Sequence, residues 1–197
     1  MKPRTLALAV AAATLIAPPI DAWLDRAMPR LLLVEMPAWL ALGWLAARGR
    51  GDALRRWDPY GAAGLVLFLG TMWFWMLPRS VDLVGASPLA NQLMHLSLLA
   101  AGAVLGVSLP AVPFVVRGAL GIHAISMTFA LGVLYTSYSA LLCGTFDLAQ
   151  QKATGRLLVG LSPVVLVAVV GWGALTLARS HRRREGAAAA RQMPSAG

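Results

Sequence analysis

Long apolar blocks separated by short polar stretches are the main pattern of this sequence. An α-helix needs about 20 mostly apolar residues to cross roughly 30 Å of hydrocarbon. Blocks near that length cover residues 5–24, 31–47, 60–77, 89–109, 118–142 and 157–178. Prolines follow or interrupt several of them, where helices are expected to end. The pattern predicts an all-α, polytopic transmembrane helical bundle of about six spans in residues 1–179, followed by a flexible basic tail in residues 180–197.

The composition favours the same class of protein. Hydrophobic residues make up 58% of the chain and charged residues 13%, against about 45–50% and about 25% in soluble domains. A water-soluble domain of 197 residues could not bury that much apolar surface. A soluble enzyme and a disordered binding protein are therefore both disfavoured. The single cysteine excludes an internal disulfide framework and any Cys-pair metal motif.

The basic residues predict the orientation of the chain in the membrane. The net charge is +9, but the arginines lie in short stretches between apolar blocks, which fits the positive-inside rule better than a nucleic-acid-binding face. With the N-terminus inside, twelve of the 17 Lys and Arg residues fall on the inner side, and the outer side holds four of the eight acidic residues: Asp21, Asp25, Asp82 and Asp147. We expect an N-in/C-in, multi-pass protein of the bacterial cytoplasmic (inner) membrane, with the lipid bilayer as its surroundings and no nucleic-acid partner.

The first block also has features of a signal peptide. Lys2 and Arg4 form a basic start, and an apolar stretch follows. Cleavage after Ala17 would place Leu15 at the −3 position, where a small residue is preferred. We therefore expect an uncleaved helix. Cleavage would leave five spans in the same orientation.

Ionisable residues inside spans are costly and are therefore functional candidates. Glu35 lies about one turn into the second span, near its predicted outer end. In one interpretation its carboxylate reaches the interface or pairs with Arg30 or Arg79. In the other it forms a proton or cation site in the outer leaflet.

His95 lies about two turns into the fourth span, also on the predicted outer side, and Asn91 shares its helix face. A single histidine in a helix is more often held by a hydrogen bond than by a metal. Thioether, thiol and imidazole groups nonetheless favour Cu(I), although methionine is also a common packing residue. The candidate copper ligands are His95, Met94, Met36, Met76 and Cys143.

His123 occupies the fifth span, closer to the predicted inner surface. At 1.5 Å per residue its depth should differ from that of His95 by roughly 15 Å, so the two cannot share one metal or haem iron. We expect His123 to be a buried hydrogen-bonding residue or a relay group. The aromatic residues Trp73–Trp75 and two tyrosines of the fifth span are expected at the interface or in packing. No phosphate loop, zinc-protease motif or plausible Ser–His–Asp set occurs, so we do not expect an enzyme.

From Asn91 onward the sequence resembles the CtaG family of membrane proteins, which take part in cytochrome c oxidase assembly. That family has a His-Met-x-x-His motif at the start of an apolar helix, and residues 91–95 read Asn-Gln-Leu-Met-His here, so Asn91 stands in place of the first histidine. A later helix histidine resembles His123, and a segment before the last span resembles residues 150–155, Gln-Gln-Lys-Ala-Thr-Gly.

The resemblance implies a non-catalytic assembly factor for a respiratory-chain cytochrome c oxidase. Such a protein would handle copper near the outer membrane surface and would contact oxidase subunits. Two other functions remain open from the sequence. One is a small transporter or channel with Glu35, Asn91 and His95 lining a polar path. The other is a structural subunit of a larger membrane complex.

Overall fold

A computed structural model describes residues 3–48 and 58–192, and their regular structure is entirely helical. We number the helices along the chain: α1 Pro3–Ile16, α2 Pro18–Asp25, α3 Met28–Ala47, α4 Ala62–Met76, α5 Pro78–Ala86, α6 Pro88–Ser108, α7 Phe114–Ser137 and α8 Leu148–Gln192. The predicted all-α class is therefore confirmed for the described part of the chain.

Four of these helices are long and apolar enough to cross a membrane, and there are six candidate spans if each of two bent pairs counts as one. The four are α3, α6, α7 and the segment Leu148–Thr176 of α8. The bent pairs are α1 with α2, at 62°, and α4 with α5, at 72°. Each bend precedes a proline, which disfavours helical geometry in the residue before it. Ala17 and Leu77 accordingly have ψ angles of 125° and 136°.

Several boundaries differ from the prediction. The block 5–24 is broken at Ala17, and the block 118–142 ends as a helix at Ser137, so Cys143 lies in the following loop. A flexible tail was predicted for residues 180–197. In the structure the backbone of residues 180–192 is helical and continues α8. Residues 193–197 and the basic segment 49–57 lie outside the described residues.

Helices α3 and α6 pack closely, side by side and in the same direction. A Cβ atom on Gly43 would lie 2.0 Å from the carbonyl oxygen of Leu99, and one on Gly102 would lie 2.1 Å from that of Leu40. Both positions therefore need glycine, which lets two backbones approach as in membrane helix pairs. The approach brings the first turns of α3 against the first turns of α6, where polar side chains lie.

Helix α4 runs antiparallel to α6 on another side. The indole nitrogen of Trp75 donates to the hydroxyl of Ser97 at 2.7 Å, near one end of the contact. At the other end, the backbone nitrogen of Gly64 donates to Asp58 Oδ2 at 2.8 Å. Hydrogen bonds from the backbone at the start of α4, first among them that of Gly64, lower the pKa of Asp58. Asp58 therefore anchors the start of α4.

Helices α7 and α8 form an antiparallel pair that also depends on small residues. A Cβ on Gly132 would lie 2.9 Å from the carbonyl oxygen of Gly155, and Phe114 stacks on Trp172 with a centroid distance of 6.0 Å. The backbone nitrogen of Met28 donates to Gln150 Oε1 at 3.1 Å, which ties α8 to the start of α3. The outward faces of α7, and of α8 as far as Leu175, carry many exposed apolar side chains, as expected for helices surrounded by lipid.

Candidate metal centre

Helices α2, α3 and α6 bring five polar side chains together where α3 and α6 begin. We call this group the carboxylate–histidine cluster, and its members are Asp21, Asp25, Glu35, Asn91 and His95. The last three are 1%, 5% and 2% exposed. Ionisable groups are rarely buried this deeply unless they are paired or bind a ligand.

Two carboxylates lie near the same nitrogen of the His95 imidazole. Its Nε2 is 2.5 Å from Glu35 Oε1 and 3.8 Å from Asp21 Oδ1. One potential ligand atom from each residue lies within 4.8 Å of the other two. Protein N and O atoms bind zinc-like ions at about 2.0–2.2 Å, so ligands of one ion lie at most about 4.4 Å apart. Small side-chain movements would let these three residues bind a single metal ion.

The other two members of the cluster are joined to each other. The side-chain nitrogen of Asn91 donates to Asp25 Oδ2 at 2.8 Å. The indole of Trp39 stacks on the imidazole of His95, with ring centroids 4.7 Å apart and planes at 25°. This stacking fixes the plane of the imidazole against the wall formed by α3.

Buried polar atoms without a hydrogen-bond partner are concentrated in this cluster. Within the described part of the chain they are the second carboxylate oxygen of Glu35, Oδ1 of Asp21, Asp25 and Asn91, Nδ1 of His95 and the adjacent indole nitrogen of Trp39. Outside the cluster, the hydroxyl of Tyr135 is the remaining such atom in the same range. Each unsatisfied buried group costs about 1–3 kcal/mol. Their concentration at one place shows that these groups need further partners, which bound water or an ion can supply.

A local irregularity of α3 positions Glu35. Residues Leu31–Glu35 form a π-helical turn in which the backbone nitrogen of Met36 donates to the carbonyl of Leu31. Pro37 follows within one turn and has no N–H to donate. Such π-helical turns are frequent at functional sites because they rotate a side chain relative to the regular helix. Here the turn precedes the residue that contacts His95.

The cluster contains more acidic than basic groups. Three carboxylates face one imidazole, and the ion pairs within the described residues are the two made by His95. The structure corrects the expected pairing of Glu35 with Arg30 or Arg79, because Glu35 is buried against His95. The Arg30 guanidinium instead lies 4.2 Å above the ring of Trp23. The excess of carboxylates favours a cation as the ligand.

The four sulfur-containing residues predicted as copper ligands lie in three different parts of the structure. Met94 and Met36 are buried in the apolar core. Met76 lines a separate apolar cavity of about 280 Å³ between α4 and α7. Cys143 lies in the loop before α8, where its thiol contacts the carbonyl of Pro78 at 3.6 Å. Burial first, and then the nearby Asp82, raise the pKa of the Cys143 thiol to about 11, so the free thiol stays protonated at neutral pH.

His123 lies apart from the cluster. Its Nε2 accepts a hydrogen bond from the indole nitrogen of Trp73 at 3.0 Å, and the two rings are 5.7 Å apart. His123 therefore makes the expected hydrogen bond, but it is only partly buried, whereas a buried residue was expected. The bond also assigns a polar partner to one of the aromatic residues expected at the interface or in packing. His123 is therefore a matched control for the histidine of the cluster.

Asp21, Asp25 and Trp39 belong to the site although the sequence pattern did not mark them as candidates. The two aspartates are four residues apart in an apolar stretch, so they share one helix face. That spacing was the available signal, but both residues were counted only as outer charges.

Comparisons with known protein families, with curated proteins and with solved structures find no match for this chain. Fold and site together define an all-helical protein with several helices long and apolar enough to span a membrane, in which a cluster of carboxylates and one histidine lies at one end of a parallel helix pair.

Proposed function

We propose that this chain is a membrane-embedded, non-catalytic metal-handling protein that holds a copper ion on Asp21, Glu35 and His95. The observation that carries the proposal is that two carboxylates lie near Nε2 of His95, with ligand atoms of all three residues within 4.8 Å of one another. The unpartnered polar atoms around them support a bound cation over a purely structural hydrogen bond.

The types of ligand atom indicate which oxidation state of copper the site prefers. Carboxylate oxygen and imidazole nitrogen suit borderline divalent ions, and Cu²⁺ is bound most tightly among the first-row divalent metals. Cu(I) prefers sulfur, and the donor atoms of the Asp21–Glu35–His95 set are oxygen and nitrogen. The site therefore favours divalent copper over the Cu(I) expected from the sequence.

The biological role that we propose is assembly of a respiratory cytochrome c oxidase in the bacterial inner membrane. Its support is the sequence resemblance to the CtaG family from Asn91 onward, together with a site at the end of the bundle that the charge pattern predicts to be outside. An assembly factor has to accept a metal ion and release it again, and a site of few ligands near a surface suits that task. Oxidase subunits are the partners implied.

A channel through the protein is less well supported. Beyond the cluster, α3 and α6 approach each other closely at Gly43 and Gly102. At these two positions the backbones touch, so no side chain fits between the helices there. The packing therefore favours holding a metal over conducting it.

The test is metal content and oxidase maturation measured on the same variants. Purified protein is loaded with Cu²⁺ in detergent, freed of excess ion, and analysed by mass spectrometry of the metal. We expect about one copper per wild-type chain, loss of that copper in His95→Ala, and retention of it in His123→Ala. In cells, His95→Ala should also lower the amount of mature oxidase.

A second variant keeps the test valid if His95→Ala does not accumulate. Glu35→Gln keeps the size of the side chain and a hydrogen-bonding oxygen but removes the charge. Outer-shell substitutions already cost about 10–100-fold in metal affinity, so loss of a ligand charge should cost at least as much. Wild-type protein without copper, or full copper in both variants, would overturn the proposal. Normal oxidase maturation in a copper-free variant would overturn the assembly role alone.

A further inference from the structure

A cavity of about 350 Å³ adjoins the carboxylate–histidine cluster. Its walls come from α2, from α5 and from the loop before α8. The lining residues include Asp25, Arg26, Val84, Gly85, Thr145 and Phe146. Its lining includes a carboxylate, a guanidinium and a hydroxyl, unlike the apolar cavity beside Met76. A polar cavity of this size can hold several water molecules.

Asp25 belongs both to the cavity wall and to the cluster. Its Oδ2 accepts the hydrogen bond from Asn91, and its Oδ1 is buried without a partner. Among the described residues of the cluster, Asp25 is the member that lines this cavity. The cavity and the cluster therefore share Asp25, whose carboxylate is held on the cluster side by Asn91.

We propose that Asp25 is the entry ligand of the metal site: a divalent cation binds first to Asp25 from the cavity and then passes to Asp21, Glu35 and His95. This inference rests on the proposed function, because it assumes that the cluster holds a metal ion. The transfer is a ligand exchange without redox change, in which a carboxylate oxygen of Asp25 leaves the ion as oxygen and nitrogen atoms of the other three residues bind it.

The geometry of α2 makes a short transfer possible. Asp21 and Asp25 are four residues apart in one helix, so their side chains are neighbours on one face. Asn91 holds Asp25 from α6, one helical turn before His95 on the same helix. The ion can therefore pass between the two carboxylates without movement of a helix.

The cavity wall is fixed by contacts between α5 and the loop. The backbone nitrogen of Thr145 donates to Asp82 Oδ1 at 3.0 Å, and its hydroxyl donates to the carbonyl of Asp82 at 3.3 Å. A Cβ on Gly85 would lie 2.4 Å from Thr145 Cγ2, so the loop fits tightly against α5. These contacts hold the wall in place, so the cavity is a fixed feature of the fold. The exposed Arg26 also lines it, and its positive charge should slow the entry of cations.

The experiment measures the rates of copper loading and release. Metal-free protein in detergent is mixed with Cu²⁺, the reaction is stopped with a chelator at set times, and protein-bound copper is counted. For Asp25→Asn we expect loading and release both to slow at least tenfold, with an equilibrium affinity within threefold of wild type. An entry ligand changes both rates together, whereas a permanent ligand changes the release rate and the affinity.

A pair of tryptophan substitutions tests the route without altering a ligand. Ala22 is exposed and lines the cavity, so Ala22→Trp should fill the opening and slow loading while the final copper content is unchanged. Ala86 is exposed at the end of α5 and is not part of the lining, so Ala86→Trp should load at the wild-type rate. Arg26→Gln should load faster than wild type, most clearly at low salt.

The outcomes separate this inference from the proposed function. Wild-type protein that binds no copper overturns both. Wild-type protein that binds copper, with wild-type loading rates in Asp25→Asn and Ala22→Trp, overturns only the entry route. Faster release with lost affinity in Asp25→Asn would make Asp25 a fourth permanent ligand and would also overturn it. If Asp25→Asn does not accumulate, the comparison of Ala22→Trp with Ala86→Trp decides the question.

Discussion

The carboxylate of Glu35 and the imidazole of His95 meet at 2.5 Å although the two residues are sixty positions apart in the sequence. They are brought together because α3 and α6 run in the same direction and begin at the same end of the bundle. Two further helices, α4 and α5, separate α3 from α6 along the chain, so the contact depends on the whole arrangement of the central helices.

The first prediction concerns the close approach of α3 and α6. Gly102→Ala places a Cβ where Leu40 leaves no room, and overpacking of this kind costs about 1–3 kcal/mol. Thermal unfolding in detergent should therefore occur at a lower temperature, and copper content should fall because Glu35 and His95 move apart. In Gly160→Ala, the matched control, the new Cβ meets nothing within 4 Å. Equal behaviour of the two variants would contradict the packing argument.

The second prediction is that copper stabilises the folded protein. A ligand that binds only the native state adds about 2.7 kcal/mol at a concentration one hundred times its Kd. Cu²⁺ should raise the unfolding temperature of wild type, and removal by a chelator should reverse the shift. His95→Ala should show no shift, whereas His123→Ala should respond as wild type does. A similar rise in all three proteins would mean that the ion binds elsewhere.

The third prediction concerns orientation in the membrane. The excess of basic residues on one side of the membrane predicts that segments 48–58 and 182–184 are cytoplasmic. Reporter fusions after Arg56 and after Arg184 should give cytoplasmic signals, and a fusion after Ala149 should give an external one. An external signal after Arg56 would contradict the arrangement of six spans with both termini inside.

The fourth prediction concerns Asp58 and pH. Its pKa is lowered from the ordinary value of 3.8, chiefly by the hydrogen bond from the backbone of Gly64. A lowered pKa in the folded state means that the ionised carboxylate stabilises the fold above the ordinary pKa, and this stabilisation is lost as the pH falls through the lowered value. Asp58→Asn should therefore unfold at a lower temperature than wild type at pH 7.

The difference between Asp58→Asn and wild type should shrink as the pH falls below the ordinary value of 3.8, since protonated aspartate resembles asparagine. Thermal unfolding scans at a series of pH values measure it. A difference that stays constant at every pH would show that the charge of Asp58 does not anchor α4.

The apolar pattern predicted most of the helices, because a helix that crosses a membrane needs about 20 predominantly apolar residues. The block 89–109 corresponds to Pro88–Ser108, and the block 31–47 lies within Met28–Ala47. The bends at Ala17 and Leu77 were harder to predict from the sequence. A proline shows where a helix can break, but it does not give the angle of the next helix.

The candidate site was predicted only in part. Glu35, Asn91 and His95 were identified because polar groups in apolar segments are conspicuous. Asp21 and Asp25 were read as charges outside the membrane, since hydropathy assigns polar residues near block ends to loops. Met76 and Cys143 were grouped with His95 by ligand type, but Met76 lines a separate apolar cavity and Cys143 lies in the loop before α8.

The sequence by itself determined the helical class, the apolar character of the helices and the presence of rare ionisable groups within them, because each follows from the local order of residues. Tertiary structure alone decided which of those groups meet. The pairing of α3 with α6 depends on glycines that allow two backbones to touch, and the turn of α2 after Ala17 carries two aspartates to that junction. Hydropathy records how apolar a segment is, whereas the choice of neighbours depends on the shapes of helix surfaces far apart in the chain.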